Sequence, residues 1–93
     1  MIVGVLRVRI ILREAFSLKE KRSVVKGIKD RVQQRFNVSI AEIDAQDARQ
    51  RAELGVATVG NDKRHLEGLL NQVLRHVRGA PGVEVASHEV EYF

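Results

Sequence analysis

The sequence predicts an α+β sandwich, four antiparallel strands backed on one face by two helices, and three observations predict it. Apolar residues alternate along positions 2–12, a serine-led capping box opens a helical repeat at Ser17, and a stronger helical repeat follows Asn61-Asp62 and stops at Gly79 and Pro81. The elements run β-α-β-β-α-β.

In the first strand Ile2, Gly4, Leu6, Val8, Ile10 and Leu12 share one face, and Val3, Val5, Arg7, Arg9 and Ile11 share the other, because successive side chains point to opposite sides. The even face reads as core. Two arginines among aliphatics mark the odd face as partly wet or covered by a partner. In the first helix the Ser17 hydroxyl is placed to accept from the amide of Glu20, and the Glu20 carboxylate to reach back to the serine amide. Val24, Val25, Ile28, Val32 and Phe36 then recur at helical spacing as the buried stripe, with Asn37 as the expected stop. Lys21 falls near the sheet side of this helix, so its ammonium must snorkel or pair, and Glu53 or the Asp44 to Asp47 loop is the expected partner.

Val38 to Asp44 reads as a short strand and Arg51 to Gly60 as a longer one. The linker from Ala45 to Gln50 lacks an Asn-Gly or Asp-Gly pair, which predicts a longer loop or one helical turn instead of a two-residue hairpin. In the second helix Leu66, Leu69, Leu70, Val73, Leu74 and Val77 form the apolar stripe behind the Asn61-Asp62 cap. Val83 to Tyr92 supplies the last strand, with Ser87 and His88 interrupting its alternation as a bulge would. Right-handed crossovers then give a ferredoxin-like βαββαβ sandwich with one sheet face open. Ninety-three residues suit one core, so a single domain spanning 1–93 is expected.

With 44% hydrophobic and 30% charged residues the chain can bury enough surface to fold. It has no cysteine, which excludes disulfides, thiolate metal sites and a cysteine nucleophile. Arg7 and Arg9 interrupt the apolar start, so a signal peptide is not expected, and no run approaches the roughly 20 apolar residues of a membrane helix. A cytoplasmic location is the expectation. The net charge of +4 and pI near 10.0 favour anionic partners.

Known chemistries of this topology leave residue signatures, and most are missing. An acylphosphatase needs a glycine-rich phosphate cradle after the first strand, where this chain has Arg13-Glu14-Ala15-Phe16-Ser17. An RNA-recognition motif stacks bases on aromatics of the central strands, whereas here the aromatics are Phe16, Phe36, Tyr92 and Phe93. His65 and His76 stand about 16 Å apart along one helix, too far to share a metal, and His88 has no sequence partner. Glu42, Asp44 and Asp47 would suit Mg²⁺, but pairing with Arg49 and Arg51 is the simpler expectation. Ser17, Ser23, Ser39 and Ser87 have no histidine nearby in sequence. No catalytic residue, cofactor, metal or membrane contact is therefore assigned.

The informative charge feature is in the first helix. Lys19, Arg22, Lys26 and Lys29 follow a three-four-three spacing along one flank, reinforced by Lys21, Arg31 and Arg35 against only Glu20 and Asp30. Like charges at that spacing repel by a few tenths of a kcal/mol per pair, and a phosphate backbone would relieve the repulsion. These four residues, with Arg7 and Arg9 of the first strand, are the expected nucleic-acid contacts.

The strings Ser17-Leu18-Lys19-Glu20-Lys21-Arg22, Arg35-Phe36-Asn37-Val38-Ser39 and Gln50-Arg51-Ala52-Glu53-Leu54-Gly55-Val56, with the opening Met1-Ile2-Val3-Gly4 and the closing strand, resemble the domain-of-unknown-function family 503, the bacterial YlxP-like proteins. The resemblance runs essentially end to end. It implies a ferredoxin-like fold, a bacterial cytoplasmic protein and self-association. Gene neighbourhoods of the family, beside a translation initiation factor and a ribosome-binding factor, imply a link to translation or ribosome assembly. Ala48 departs from the larger apolar residue of relatives. Three functions follow as expectations: a non-catalytic RNA- or ribosome-associated module, a homodimeric interaction domain without nucleic-acid binding, and a small-molecule regulatory domain of the ACT type. The last lacks its glycine-bearing loop after the first strand.

Overall fold

The alternating residues 2–12 become a central strand, and everything else is arranged around it. The structure, a computed structural model, describes residues 1–45 and 48–93. Its elements are β1 (Ile2–Ile11), α1 (Leu18–Arg35), β2 (Ser39–Asp44), β3 (Arg51–Gly60), α2 (Lys63–Arg78) and β4 (Glu84–Tyr92). The sheet order is β2-β3-β1-β4 with every neighbouring pair antiparallel, which is the ferredoxin-like arrangement.

The even residues of β1 do face the core: Leu6, Val8, Ile10 and Leu12 are buried with Ala52, Leu54 and Val56 of β3 and Ile40 of β2. Val25, Ile28 and Val32 of α1 and Leu70, Val73, Leu74 and Val77 of α2 close over that same face. Each such side chain contributes about 1.5–3 kcal/mol on leaving water. Side chains of α2 pack tightly on the sheet: a Cβ on Gly4 would stand 3.1 Å from Leu70 Cδ1, and one on Gly60 3.0 Å from Leu66 Cδ2. Among the described residues no helix covers the opposite sheet face.

Local chemistry sets the helix ends. The Ser17 hydroxyl accepts from the amide of Glu20 at 3.1 Å, as the capping box requires. The Glu20 carboxylate reaches one residue further than expected, accepting from the amide of Phe16 at 3.3 Å. α1 stops at Arg35, before Asn37, because Phe36 leaves helical angles while its amide still donates to Val32. Thr58 then holds the connection, its hydroxyl donating to the Asn37 carbonyl at 3.2 Å. Asp62 caps α2 by accepting from the amides of Arg64 and His65.

Two bulges re-aim the edge strands. On β4 the register passes from Arg9 opposite Ser87 to Ile10 opposite Val85, so the unpaired residue is Ala86, one position before the expected Ser87-His88. The earlier bulge leaves the Ser87 hydroxyl within 3.3 Å of the Arg9 guanidinium. On β2 the register passes from Glu42 opposite Leu54 to Asp44 opposite Glu53, leaving Ile43 over.

Lys21 is completely buried. Its Nζ lies 2.7 Å from Glu42 Oε2 and donates to the Ala45 carbonyl at 2.7 Å. The expected partner Glu53 is elsewhere: it faces the open side of the sheet, against Arg9 at 3.4 Å. The loop expectation is met at Ala45, whereas Asp47 lies outside the described residues. Ala45 itself has φ 61°, a left-handed conformation that L residues enter at a cost of about 1–2 kcal/mol. The Asp44 carboxylate accepts its amide at 2.7 Å, and Lys21 grips its carbonyl. Removing one member of a buried pair strands the other charge. Lys21→Ala is therefore expected to cost roughly 3 kcal/mol and to lower Tm by more than about 10 °C, while Lys21→Met combined with Glu42→Gln recovers most of the loss. Thermal unfolding of the three chains checks this, and an equal loss in the single and double variants would refute it.

Candidate nucleic-acid interface

Charge is segregated between the two layers. α1 carries seven basic and two acidic residues and α2 four and one, a formal +8 in the helices; with +4 for the whole chain, the strands and loops hold −4. The helix layer is the basic side of the molecule, and the sheet and loops are acidic in balance.

Within that layer Lys19, Arg22 and Lys26 are exposed and Lys29 is half-buried. Arg22, Lys26 and Lys29, with the carboxylates of Asp30 and Glu42, line a groove of about 400 Å³ between α1 and the edge strand β2. Lys19 stands apart from it in the first helical turn. Lys26 Nζ is 2.7 Å from the Asp30 carboxylate, four residues on, and that hydrogen bond raises the lysine above its ordinary pKa. Both partners are well exposed, so solvent screens the pair and it contributes little to stability.

Arg7 and Arg9 do not join them. They project from the odd face of β1, on the side of the sheet away from the helices. Arg9 is bound between Glu89 at 2.8 Å and Glu53 at 3.4 Å; the Glu89 hydrogen bond, then the Glu53 charge, strengthens its protonated form. Arg7 lies opposite Gly55 and Glu89 and is exposed. The six expected contacts thus divide into four on the helix side and two on the far side.

Of the acidic trio, Asp47 lies outside the described residues. Glu42 turns inward to Lys21 instead of to Arg49 or Arg51, because it shares the helix-facing side of β2 with Ile40, and Arg51 opens β3 opposite Ile11. Among the described residues no three His, Asp or Glu side chains are grouped as a metal would need, and no helix is long and apolar enough to cross a membrane. The aromatics lie off the central strands: Phe16 precedes α1, Phe36 caps it, Tyr92 ends the edge strand β4 with Lys63 Nζ 4.9 Å from its ring centre, and Phe93 follows. Tyr92 is held above its ordinary pKa by burial and by the charge of Glu67.

A second basic cluster was not singled out in the sequence. Between the helices a cleft of about 340 Å³ is lined by Arg35, Phe36, Gln72, Arg75 and His76. The His76 ring meets Phe36 edge-on at 6.2 Å, and the Arg35 guanidinium lies 5.8 Å from the Phe36 ring centre. Burial, and then the charges of Arg35 and Arg31, push His76 below the ordinary histidine pKa. Arg31 and Arg35, one turn apart in α1, and the run Gln72, Arg75, His76 in α2 were the available signal; it needs both helices side by side to be seen.

The His76 shift has a stability consequence. Its folded pKa lies below 6.5, so as pH falls the unfolded chain takes up the proton first. The contribution is complete above about pH 6.5 and is lost as pH drops through the lower folded value. Chemical denaturation between pH 7.5 and 5 should show a shallower acid loss in His76→Gln than in the parent chain, and parallel curves would refute it.

The chain is similar to known proteins in sequence and, separately, in fold. It is 41% identical over 91 residues to the uncharacterized protein YlxP of Bacillus subtilis (strain 168), covering 98% of this chain and 99% of that one. Among solved structures, the de novo designed protein Foldit4 superposes with a TM-score of 0.56 at 20% identity, over 100% of this chain and 97% of that one, a likeness of fold alone. LarC2, the C-terminal domain of a cyclometallase involved in the synthesis of the NPN cofactor of lactate racemase, matches at TM-score 0.44 and 15% identity, over 100% of this chain and 56% of that one. The profile of a family described as proteins of unknown function (DUF503) matches residues 3–90, and with that span and the YlxP identity the chain belongs to the DUF503 family.

Proposed function

We propose that this chain is a non-catalytic RNA-binding module of the cytoplasm, associated with ribosomal particles, and that it contacts phosphate through its helix layer. The observation that carries the reading is the separation of +8 in the helices from −4 in the rest of the chain. A uniformly basic surface would serve solubility alone, but a one-sided field orients the molecule toward a polyanion and raises the encounter rate. Lys19, Arg22, Lys26 and Lys29 are the proposed contacts, and counterion release from the phosphate chain is the driving term. Arg7 and Arg9, turned the other way among Glu53 and Glu89, are left out of this surface.

Binding of a single-stranded RNA oligomer, followed by fluorescence anisotropy over a salt series, tests the proposal. Arg22→Glu with Lys26→Glu should weaken binding at least about tenfold and flatten the salt dependence, by roughly one unit of slope per lost contact, while Arg7→Glu changes little. Unchanged affinity in a folded Arg22→Glu, Lys26→Glu chain would reject it.

A second reading concerns the other face. The open side of the sheet exposes Val59 (62%) and Ile43 (45%), with Phe93 (71%) beside them and Arg7, Arg9, Glu53, Glu89 and Glu91 interspersed. Mixed charges around apolar residues suit a second copy related by two-fold symmetry, and such a dimer would leave the helices free. Sedimentation at tens of micromolar should find a dimer that Val59→Lys dissociates; a monomer in the parent chain would dismiss this reading.

A further inference from the structure

We propose that the cleft between α1 and α2 is a phosphate site, taking a phosphomonoester or inorganic phosphate between Arg35 and Arg75 with His76 as a third partner. It rests on the reading above only for one of its two sources, an RNA end. The cleft lies on the α2 side of α1, distinct from the groove of Arg22, Lys26 and Lys29.

Three features point to an anion. First, the lining supplies donors and no carboxylate: two guanidiniums, the Gln72 amide and the His76 imidazole. Second, among the described residues Arg31, Arg35 and Arg75 take part in no ion pair, in contrast to Arg9, Arg13, Lys21 and Lys26. Third, among the described residues the buried His76 Nε2 has no hydrogen-bond partner, an unmet need that a small movement of the ring toward a bound oxygen would satisfy. Guanidinium forks match the oxygens of phosphate in pairs, and Phe36, packed against both Arg35 and His76, braces them.

The charged groups beside His76 are Arg31 and Arg35 from α1 and Arg75 from its own helix, all cations, and burial, then the charges of Arg35 and Arg31, disfavour its protonated form. A bound dianion reverses that field. Phosphate binding should therefore draw a proton onto His76, and the histidine reports occupancy directly.

The test is an NMR titration of the three histidines of the full chain. Inorganic phosphate should move the His76 ring resonances and raise its titration midpoint by about one pH unit, leaving His65 and His88 in place. Arg35→Ala with Arg75→Ala should abolish the response, and Arg75→Gln alone, which disturbs packing less, should weaken it. The Arg22→Glu, Lys26→Glu chain should keep the response, so this site can stand when the RNA reading falls. A 5′-phosphorylated oligouridylate that moves His76 at lower concentration than its 5′-hydroxyl counterpart identifies an RNA end as the source; equal oligomers, with inorganic phosphate active, identify free phosphate. A His76 signal indifferent to phosphate, or three histidines shifting together, would overturn the proposal.

Discussion

The buried ammonium of Lys21 is the constraint on which the rest of the structure depends. It sits in phase with Val25, Ile28 and Val32, so the inner face of α1 cannot close on the sheet unless a negative partner comes with it. β2 supplies that partner because Glu42 shares a face with Ile40, and the bulge at Ile43 brings the Ala45 carbonyl to the same nitrogen. A solvent-exposed ion pair would be nearly worthless, but here the cost of an unpaired charge selects one placement of α1 over β2. The pair contributes specificity of arrangement more than net stability.

That placement explains how a helix with seven basic residues is held as a working surface. α1 buries only three valines and isoleucines deeply, and its own cations repel. α2 is the more strongly amphipathic of the two and packs across β1, β3 and β4, so it bears more of the core. The result is two helices that, Lys21 apart, turn their cations away from a sheet whose far side sets Arg7 and Arg9 against Glu53, Glu89 and Glu91. The helix cations and the mixed charges of the open sheet face thus stand on opposite sides of the molecule.

Much of this was legible in the residues. The alternation of β1, the Ser17 cap, the span of β3 and the apolar phase of α2 all follow from local periodicity and capping, and the structure repeats them nearly residue for residue. What escaped was pairing across elements. Glu42 was read with Asp44 and Asp47 as neighbours in sequence, although two-residue alternation from Ile40 already turned it toward the helix. Charge alone groups Arg7 and Arg9 with the α1 cations, but alternation puts them on the face opposite the core and hence opposite the helices. The cluster of Arg35, Arg75 and His76 joins residues forty positions apart, and only the packing of α1 beside α2 brings them together.

The central claim is that the helix layer, and not the sheet, is the side that meets polyanions. Mapping amide shifts of the isotope-labelled chain on addition of single-stranded RNA at low salt tests it most directly. Perturbations concentrated in α1 and α2, from Lys19 through Arg35 and around Arg75, are the expected result. Perturbations concentrated instead along β1 and β3, at Val3 to Arg9 and Glu53 to Val59, with the helices unmoved, would contradict it.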